Sequence, residues 1–262
     1  MVRIGFVQWP DCLRPGDRDW TAIAQGINDA GLDILITNEL PFGEWIASRS
    51  SFDRAIAQRS IDEHAEGLAA LTTLSVPAIV TSRPAWAGER LANEAVLLQD
   101  GEVRAWRRKR YFPAEPGWYE TSWYEAGPDD FPVADLHGLG TGVLLCTEAM
   151  FNERARRYGR AGARLIAIPR ATGPAPIWRA AGQMAAIVSG AYVVSSNRLG
   201  GSDEQRFGGG GFAYAPDGTL LTATGPDERL AVFELDSGNA DRQQHAYPCY
   251  VAEPDMADER RA

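Results

Sequence analysis

Three residues that could take part in covalent catalysis each lie at the end of a strand-like run of the sequence. Cys146 ends the apolar run "GVLLC", Glu39 follows the apolar run "LDILIT", and Lys109 ends the run "EVRAWRRK". A cysteine thiolate can attack an electrophilic carbon, but it needs a base that removes its proton and groups that stabilise the developing negative oxygen. A thiol, a carboxylate and an ammonium group could together supply these functions.

Each of these residues also has an ordinary structural explanation. Cys146 could be a core residue, because free cysteines are among the most buried residue types. Glu39 could be an acid at a strand end that reaches solvent. The basic run around Lys109 could be a solvated sheet edge, which is the interpretation that local sequence favours for Arg107 and its arginine neighbours. The residues alone leave both interpretations open.

The cysteines and histidines show no pattern typical of a metal site or a disulfide framework. The chain has three of each, and all are far apart in sequence. Scattered cysteines in odd number argue against disulfides and favour a reducing compartment, so we expect a cytoplasmic protein. No histidine spacing is typical of zinc ligands, and we expect no metal site. The residues concerned are Cys12, Cys146, Cys249, His64, His137 and His245.

The composition is typical of one globular domain with a well-mixed, acidic surface. The chain has 262 residues, 45% of them apolar, and a formal net charge of −9. No long basic block is present, so we expect no nucleic-acid partner. Residues 1–10 lack the charged and apolar regions of a signal peptide, and no apolar run approaches the ~18 residues that cross a bilayer. We therefore expect no membrane partner.

Strand-like and helix-like segments alternate along the chain. Apolar and β-branched runs predict strands at 2–8, 32–37, 77–82, 93–99, 102–109, 141–146, 164–170, 192–198, 211–225 (a hairpin) and 229–236. Helical spacing predicts helices at 17–31, 53–75, 150–163 and 177–191. Residues 110–131 lack periodicity and predict a long, functional loop. The order predicts an α/β domain over residues 1–237, with a mixed sheet or two sheets and outer helices, and a polar tail over 238–262.

Three segments resemble, in this order, the signature regions of the nitrilase superfamily of carbon–nitrogen hydrolases: "NELPFGEW", "RRKRYFPAEPGWYE" and "LLCTEAMFNE". The resemblance extends over about residues 2–236. It implies an α-β-β-α sandwich with two mixed sheets and helices outside, and a Glu–Lys–Cys mechanism without a cofactor. Three spaced motifs in the family order favour a nucleophilic Cys146 over a buried core thiol.

The resemblance also implies a role for each motif residue. Glu39 matches the general base, Lys109 the lysine that stabilises the oxyanion, and Cys146 the nucleophile. Many members carry a second glutamate after the lysine, and Glu120 in "PGWYE" matches it better than Glu115 does.

The residues that follow the nucleophile depart from the family pattern. Thr147 stands where a bulky residue is frequent, and its backbone N–H would help to stabilise the oxyanion. Branches that act on carbamoyl amino acids hold a carboxylate with arginines here, whereas this chain has Thr147, Glu148 and Ala149. Arg170 stands where many relatives have a small or neutral residue. It could bind an acidic group of the substrate, but we favour a pair with Glu148, since buried charges are normally paired.

The long loop carries aromatic residues beside the second glutamate. Trp118 and Tyr119, with Trp123 and Tyr124, would form the rim of a substrate pocket. They could also simply fasten an otherwise loose loop, and the two roles are compatible. We expect Trp118 and Tyr119 among the substrate-binding residues.

The function that the resemblance implies is hydrolysis of a small amide or carbamoyl amide through a cysteine thioester, with release of ammonia or an amine. A nitrilase that acts on R–C≡N is an alternative, because the same three groups would serve it. A catalytically silent interaction protein on the same fold is another, although the intact motif residues argue against it. Helices at 150–162 and 177–191 form the dimer interface in the family, so we expect a homodimer or a higher homo-oligomer.

Overall fold

The computed structural model describes residues 1–202 and 206–252, and within them the strands form two six-stranded sheets and one two-stranded sheet. The first large sheet contains β1 (Val2–Val7), β2 (Ile34–Ile36), β3 (Ala78–Ala87), β4 (Arg90–Gln99), β5 (Glu102–Arg108) and β14 (Leu230–Leu235). Their order is β14-β1-β2-β3-β4-β5, with β1, β2 and β3 parallel and the other neighbours antiparallel. Helices α1 (Arg18–Asp29) and α2 (Arg54–Leu71) pack on its outer face.

The second large sheet is built from the later part of the chain. It contains β6 (Ala134–Leu136), β7 (Leu139–Val143), β8 (Leu165–Arg170), β9 (Tyr192–Asn197), β12 (Phe212–Tyr214) and β13 (Leu220–Ala223). Their order is β13-β12-β9-β8-β7-β6, and β7, β8 and β9 are parallel. Helices α4 (Asn152–Arg160) and α5 (Ile177–Ser189) cover its outer face. The small sheet pairs β10 (Leu199–Gly201) with β11 (Arg206–Gly208), and a short helix, α3 (Glu120–Trp123), lies in the long loop.

The inner faces of the two large sheets pack against each other. On β2, Ile34 and Ile36 lie in the core between the sheets, whereas Leu35 lies in the core beneath α1 and α2. On β8, Ala167 and Ile168 divide in the same way between the inner core and the helix side. Successive strand residues point to opposite faces, so a strand buried on both faces must be apolar throughout. The expected α-β-β-α sandwich is confirmed.

The parallel strands place their carboxyl ends at one edge of the sandwich. Glu39 follows β2, Cys146 follows β7, and Arg170 ends β8. The backbone N–H of Glu39 donates to the Arg170 carbonyl at 3.3 Å, which shows that the two sheets meet at this edge. Side chains from separate sheets can therefore converge there.

The hairpin formed by β3 and β4 was not predicted from the sequence. The predicted strand at 77–82 extends to Ala87 and pairs with β4 along its whole length, through a turn at Gly88. Pro84 looks like a strand breaker. However, β3 pairs with β2 only from Ala78 to Val80, so at Pro84 it has a partner strand on one side only, where proline is tolerated.

Two predicted boundaries change as well. The helix expected from residue 150 begins at Asn152, because Cys146–Met150 forms a tight 3-10 turn. The tail expected from residue 238 begins inside a helix, α6 (Ser237–Gln244). Ala240 of α6 is fully buried in the core between the sheets, so this helix is anchored to the sandwich. The polar end of the expected tail, residues 253–262, lies outside the described residues.

Among the described residues, no helix combines the length and the apolar character needed to span a membrane.

Candidate active site

Cys146 lies in a strained turn where β7 gives way to the helical layer. Its backbone has a φ of 51°, in the left-handed region that non-glycine residues rarely adopt. Such a conformation costs on the order of 1 kcal/mol and tends to occur where function requires it. The side chain is 2% exposed, yet it forms part of the wall of a cavity.

Lys109 connects two buried carboxylates. Its Nζ donates to Glu39 Oε1 at 2.7 Å and to Glu120 Oε2 at 2.7 Å. All three side chains are fully shielded from solvent. Asn93 Nδ2 also donates to Glu39 Oε1, at 2.8 Å, so one oxygen of Glu39 is fixed by two donors. The structure thus brings together the strand ends that carry Glu39 and Lys109.

The second glutamate of this cluster is Glu120, the first residue of α3. Glu115, the other candidate from the sequence, is exposed and lies on the rim of the cavity. Burial is the main cause that raises the pKa of Glu120, to about 7, and the Glu39 charge adds to it. Burial alone would lower the pKa of Lys109, but Glu120 and Glu39 outweigh it, so that pKa lies well above its ordinary value. Lys109 is therefore an ammonium ion, suited to electrostatic stabilisation and not to proton abstraction.

The resting thiol of Cys146 is protonated. Burial raises its pKa far above the ordinary value, and the Glu39 carboxylate acts in the same direction. Lys109 opposes this rise, as does a hydrogen bond with the Ala171 backbone. A nucleophilic Cys146 accordingly needs a base. Glu39 Oε2 is buried and makes no hydrogen bond with the described residues, so this oxygen can accept a proton.

The cavity beside Cys146 has a volume of about 340 Å³. It is lined by Pro113, Glu115, Trp118, Cys146, Thr147, Met150, Thr172, Gly173, Ala175, Ile177 and Trp178. Of the substrate-binding residues expected from the sequence, Thr147 and Trp118 lie in this wall. Trp118 is held in place because its Nε1 donates to the Ala171 carbonyl at 3.1 Å. Tyr119 is half-buried outside this wall, and its backbone N–H donates to the Ala47 carbonyl at 2.8 Å.

A buried ion pair joins the turn Cys146–Met150, here called the cysteine turn, to the end of β5. Two interpretations of the sequence are wrong because of it. Arg107 donates to both oxygens of Glu148, at 2.5 and 2.9 Å, and both side chains are fully buried. The expected solvated edge at Arg107 and the expected Arg170–Glu148 pair are therefore wrong. Arg107 and Lys109 are two residues apart, so they share the inward face of the strand, whereas the side chain of Arg108 is 42% exposed.

Glu148 holds more than the arginine. Its Oε2 accepts the backbone N–H of Leu145, just before Cys146, and its Oε1 accepts the backbone N–H of Arg110, just after Lys109, both at 2.8 Å. One carboxylate thus fixes the two chain segments that carry Cys146 and Lys109 relative to each other.

Arg170 lies under α5, apart from Glu148. Its side chain is buried and donates to Ser195 Oγ at 2.6 Å, Thr172 Oγ1 at 3.0 Å and the Gly210 carbonyl at 3.1 Å. It also faces the rings of Trp178 and Phe212. None of these groups is an anion.

The loop after Glu39 is fixed by residues that the sequence motifs did not identify. Leu40 has a φ of 44°, its N–H donates to Ser82 Oγ at 2.7 Å, and its carbonyl accepts a hydrogen bond from the buried Arg198. Arg198 also donates to the Gly43 carbonyl at 3.2 Å and forms an ion pair with Asp11. Arg198 directly follows β9. Its position at the end of a predicted strand is the sequence feature that could have identified it as a residue near the site.

His64 supports the same loop from α2, where its ring packs against Phe42. It is buried, and its Nδ1–H donates to the Ser60 carbonyl at 2.7 Å. Burial lowers its pKa from 6.5 to about 4. As the pH falls, His64 therefore takes up a proton at a higher pH in the unfolded chain than in the folded chain.

We expect the free energy of unfolding to decrease as the pH falls from 6.5 to about 4, because His64 must remain neutral in the folded state. This contribution is about 3 kcal/mol and is lost over that window. Urea unfolding at several pH values should show a flatter profile for His64→Gln than for the wild type. His245→Gln, at an exposed histidine, should keep the wild-type slope. Equal slopes for wild type and His64→Gln would contradict this account.

The chain matches one protein family along most of its length. The model of the carbon-nitrogen hydrolase family matches residues 20–243. N-carbamoylputrescine amidase from Solanum tuberosum is 28% identical over 174 residues, which cover 60% of this chain and 58% of that protein. The chain spans 58–64% of the length of the first curated relatives that it matches.

Two solved structures share the fold. A carbon–nitrogen hydrolase from Helicobacter pylori G27 has a TM-score of 0.85 at 18% identity and covers 100% of this chain and 98% of its own. A Glu-to-Gln mutant of the amidase from Nesterenkonia sp. AN1 carries the acetamide moiety of fluoroacetamide on its active-site cysteine. It has a TM-score of 0.77 at 22% identity and covers 99% of this chain and 95% of its own. With the family model matched over residues 20–243, these results show that the chain belongs to the carbon–nitrogen hydrolase family.

Proposed function

We propose that this protein hydrolyses the C–N bond of a small amide or carbamoyl amide through a thioester on Cys146. The observation that carries the proposal is the fully buried contact of Lys109 with Glu39 and Glu120, beside a strained, protonated Cys146 that opens onto a cavity. The potato relative named as an amidase and the cysteine adduct of the Nesterenkonia amidase support it.

The acylation step uses Glu39 as a shuttle for one proton. Glu39 Oε2 accepts the thiol proton of Cys146, and the sulfur forms a bond to the carbonyl carbon. Lys109 and the backbone N–H of Thr147 stabilise the resulting oxyanion. The C–N bond then breaks, and the leaving amine or ammonia takes the proton from Glu39.

Deacylation runs through the same carboxylate. Glu39 removes a proton from a water molecule, whose oxygen attacks the thioester carbon. The C–S bond breaks, the sulfur recovers the proton, and the carboxylic acid or carbamic acid leaves. Glu120 keeps Lys109 charged and in position throughout. The sum of both steps is one water consumed for each C–N bond broken.

An ammonia-release assay over amides, carbamoyl amines and nitriles tests this proposal. We expect release from at least one amide or carbamoyl amine, with no detectable release by Cys146→Ala. Cys249→Ala removes a half-buried thiol that does not line the cavity and should retain activity. Release from nitriles alone would assign the protein as a nitrilase instead. Full activity of Cys146→Ala would exclude the thioester mechanism.

The proposed assembly is a homodimer formed through α4 and α5. Two large apolar side chains on α5 are exposed in the single chain, Ile177 at 57% and Met184 at 44%. Burial of such residues against a second copy would remove them from water. The homodimer stays a prediction.

A further inference from the structure

Arg170 is a buried cation that forms no ion pair with a carboxylate of the described residues. Its residue exposure is 2%, and its three hydrogen-bond acceptors are a serine hydroxyl, a threonine hydroxyl and a carbonyl. A guanidinium has five N–H donors, so two remain without an acceptor in the described part of the chain. Burying a charge is costly unless it is paired, which makes an anionic ligand the expected partner.

A second arginine increases the local positive charge. Burial is the main cause that lowers the pKa of Arg170 to about 10, and the charge of Arg179 also lowers it, whereas Cys146 and Glu39 act in the opposite direction. Arg179 lies in the first turn of α5, is exposed, and forms no ion pair with the described residues. The two cations repel each other, and an anion bound between them would relieve that repulsion.

The two arginines share one cavity of about 230 Å³, here called the arginine pocket. It is lined by Arg170, Gly173, Pro174, Ala175, Pro176, Trp178, Arg179, Gly208, Gly209 and Gly210. Gly173, Ala175 and Trp178 also line the cavity that contains Cys146. Thr172, which accepts a hydrogen bond from Arg170, lies in the wall of that cavity as well. The arginine pocket is therefore adjacent to the reacting centre.

A purely structural role for Arg170 and a cationic substrate are the alternatives to a bound anion. Arg170 could serve only to tie β8 to β9 through Ser195, but neutral acceptors do not require a full charge there. Glu115 on the rim could instead attract a substrate ammonium group. Glu115 is exposed, where water and salt screen its charge, whereas the charge of Arg170 is desolvated. The buried charge of Arg170, which has no ion-pair partner among the described residues, is therefore expected to determine the charge of the preferred substrate.

We propose that the arginine pocket binds a carboxylate at the far end of the substrate, so that the preferred substrates are ω-amides of short dicarboxylic acids. Arg170 and Arg179 are specificity-determining residues in this assignment. It rests on the proposed amide hydrolysis at Cys146, which provides the scissile end. A guanidinium holds a carboxylate through charge-assisted hydrogen bonds, which discriminate strongly against neutral isosteres.

The first test compares kcat/KM for succinamate, glutaramate and adipamate with the values for their methyl esters and for ω-amino amides of equal length. We expect at least one acid to exceed its ester by about tenfold or more. Arg179→Gln should reduce that ratio severalfold, mainly through KM, and Arg170→Gln should reduce it further. Arg157→Gln removes an exposed charge from α4, away from the pocket, and should keep the ratio. Equal values for acids and esters, or a preference for the ω-amino amides, would overturn the proposal.

A binding measurement separates failure of this inference from failure of the proposed hydrolysis. Titration calorimetry with Cys146→Ala protein should detect binding of succinamate, glutaramate or adipamate that Arg179→Gln weakens and Arg157→Gln does not. Such binding supports the arginine pocket as a carboxylate site even if no amide is hydrolysed. If none of the three acids binds, the carboxylate site is overturned even if neutral amides are hydrolysed. If free acetate increases the hydrolysis of a methyl ester, the pocket belongs to a separate anion, which also contradicts the assignment.

Discussion

Lys109→Met should lower kcat/KM by about a thousandfold, because it removes the cation that we propose stabilises the oxyanion. It should also destabilise the fold by about 3–5 kcal/mol, since two buried carboxylates lose their shared counterion. Glu39 and Glu120 would then lie close together without a charge between them. Steady-state kinetics on the best amide and urea unfolding of the same preparation measure the two effects.

A double variant separates catalysis from folding. Lys109→Met combined with Glu120→Gln removes one negative charge together with the positive one. We expect it to recover part of the lost stability but none of the activity. If the single variant keeps activity within about tenfold of the wild type, Lys109 is not the oxyanion-stabilising group.

The second large effect concerns Glu148, which we expect to act as a positioning residue. Glu148→Gln leaves Arg107 buried without an anion and weakens the hydrogen bonds to Leu145 and Arg110. The expected loss of stability is about 3–5 kcal/mol, as for other buried pairs that lose one partner. Because the cysteine turn is then less well fixed relative to Lys109, kcat should fall more than KM rises.

A matched control for this prediction is an exposed ion pair. Arg3 and Glu234 are 45% and 56% exposed and lie 3.8 Å apart. Glu234→Gln should change stability by about 0–1 kcal/mol at most. The double variant Arg107→Met/Glu148→Met removes both buried charges and should recover stability, while kcat stays low. Recovery of wild-type kcat in this double variant would show that the pair contributes only to folding.

The positions of the candidate catalytic residues were accessible from the sequence because they follow from sheet geometry. Apolar runs identify buried parallel strands, and the ends of such strands gather at one edge. Glu39 and Cys146 each follow such a strand. Lys109 follows β5, an edge strand paired antiparallel with β4, and its Nζ contacts Glu39 Oε1 at 2.7 Å. The family resemblance then distinguished a nucleophile from a core thiol, which periodicity could not do.

The pairing of charges was not accessible in the same way. Arg107 and Glu148 are 41 residues apart, one on β5 of the first large sheet and the other in the turn after β7 of the second, so no local pattern connects them. Local sequence favoured a solvated edge at Arg107 because basic runs usually mark one. The inward face of β5 overrides that preference, since a two-residue period places Arg107 and Lys109 together. Only the assembled sandwich shows which acid forms an ion pair with each buried arginine. It also shows that Arg170 forms no ion pair with the described residues.

The central claim is that Cys146 carries the acyl group during turnover. The most direct measurement is the mass of the intact protein after rapid acid quench of a reaction with a saturating amide, followed by peptide mapping. The other two cysteines serve as internal controls, since Cys12 is exposed and Cys249 is half-buried. We predict one acyl adduct, confined to Cys146 and absent from Cys146→Ala. An adduct on Cys12 or Cys249, or turnover of the amide without any adduct, would contradict the account.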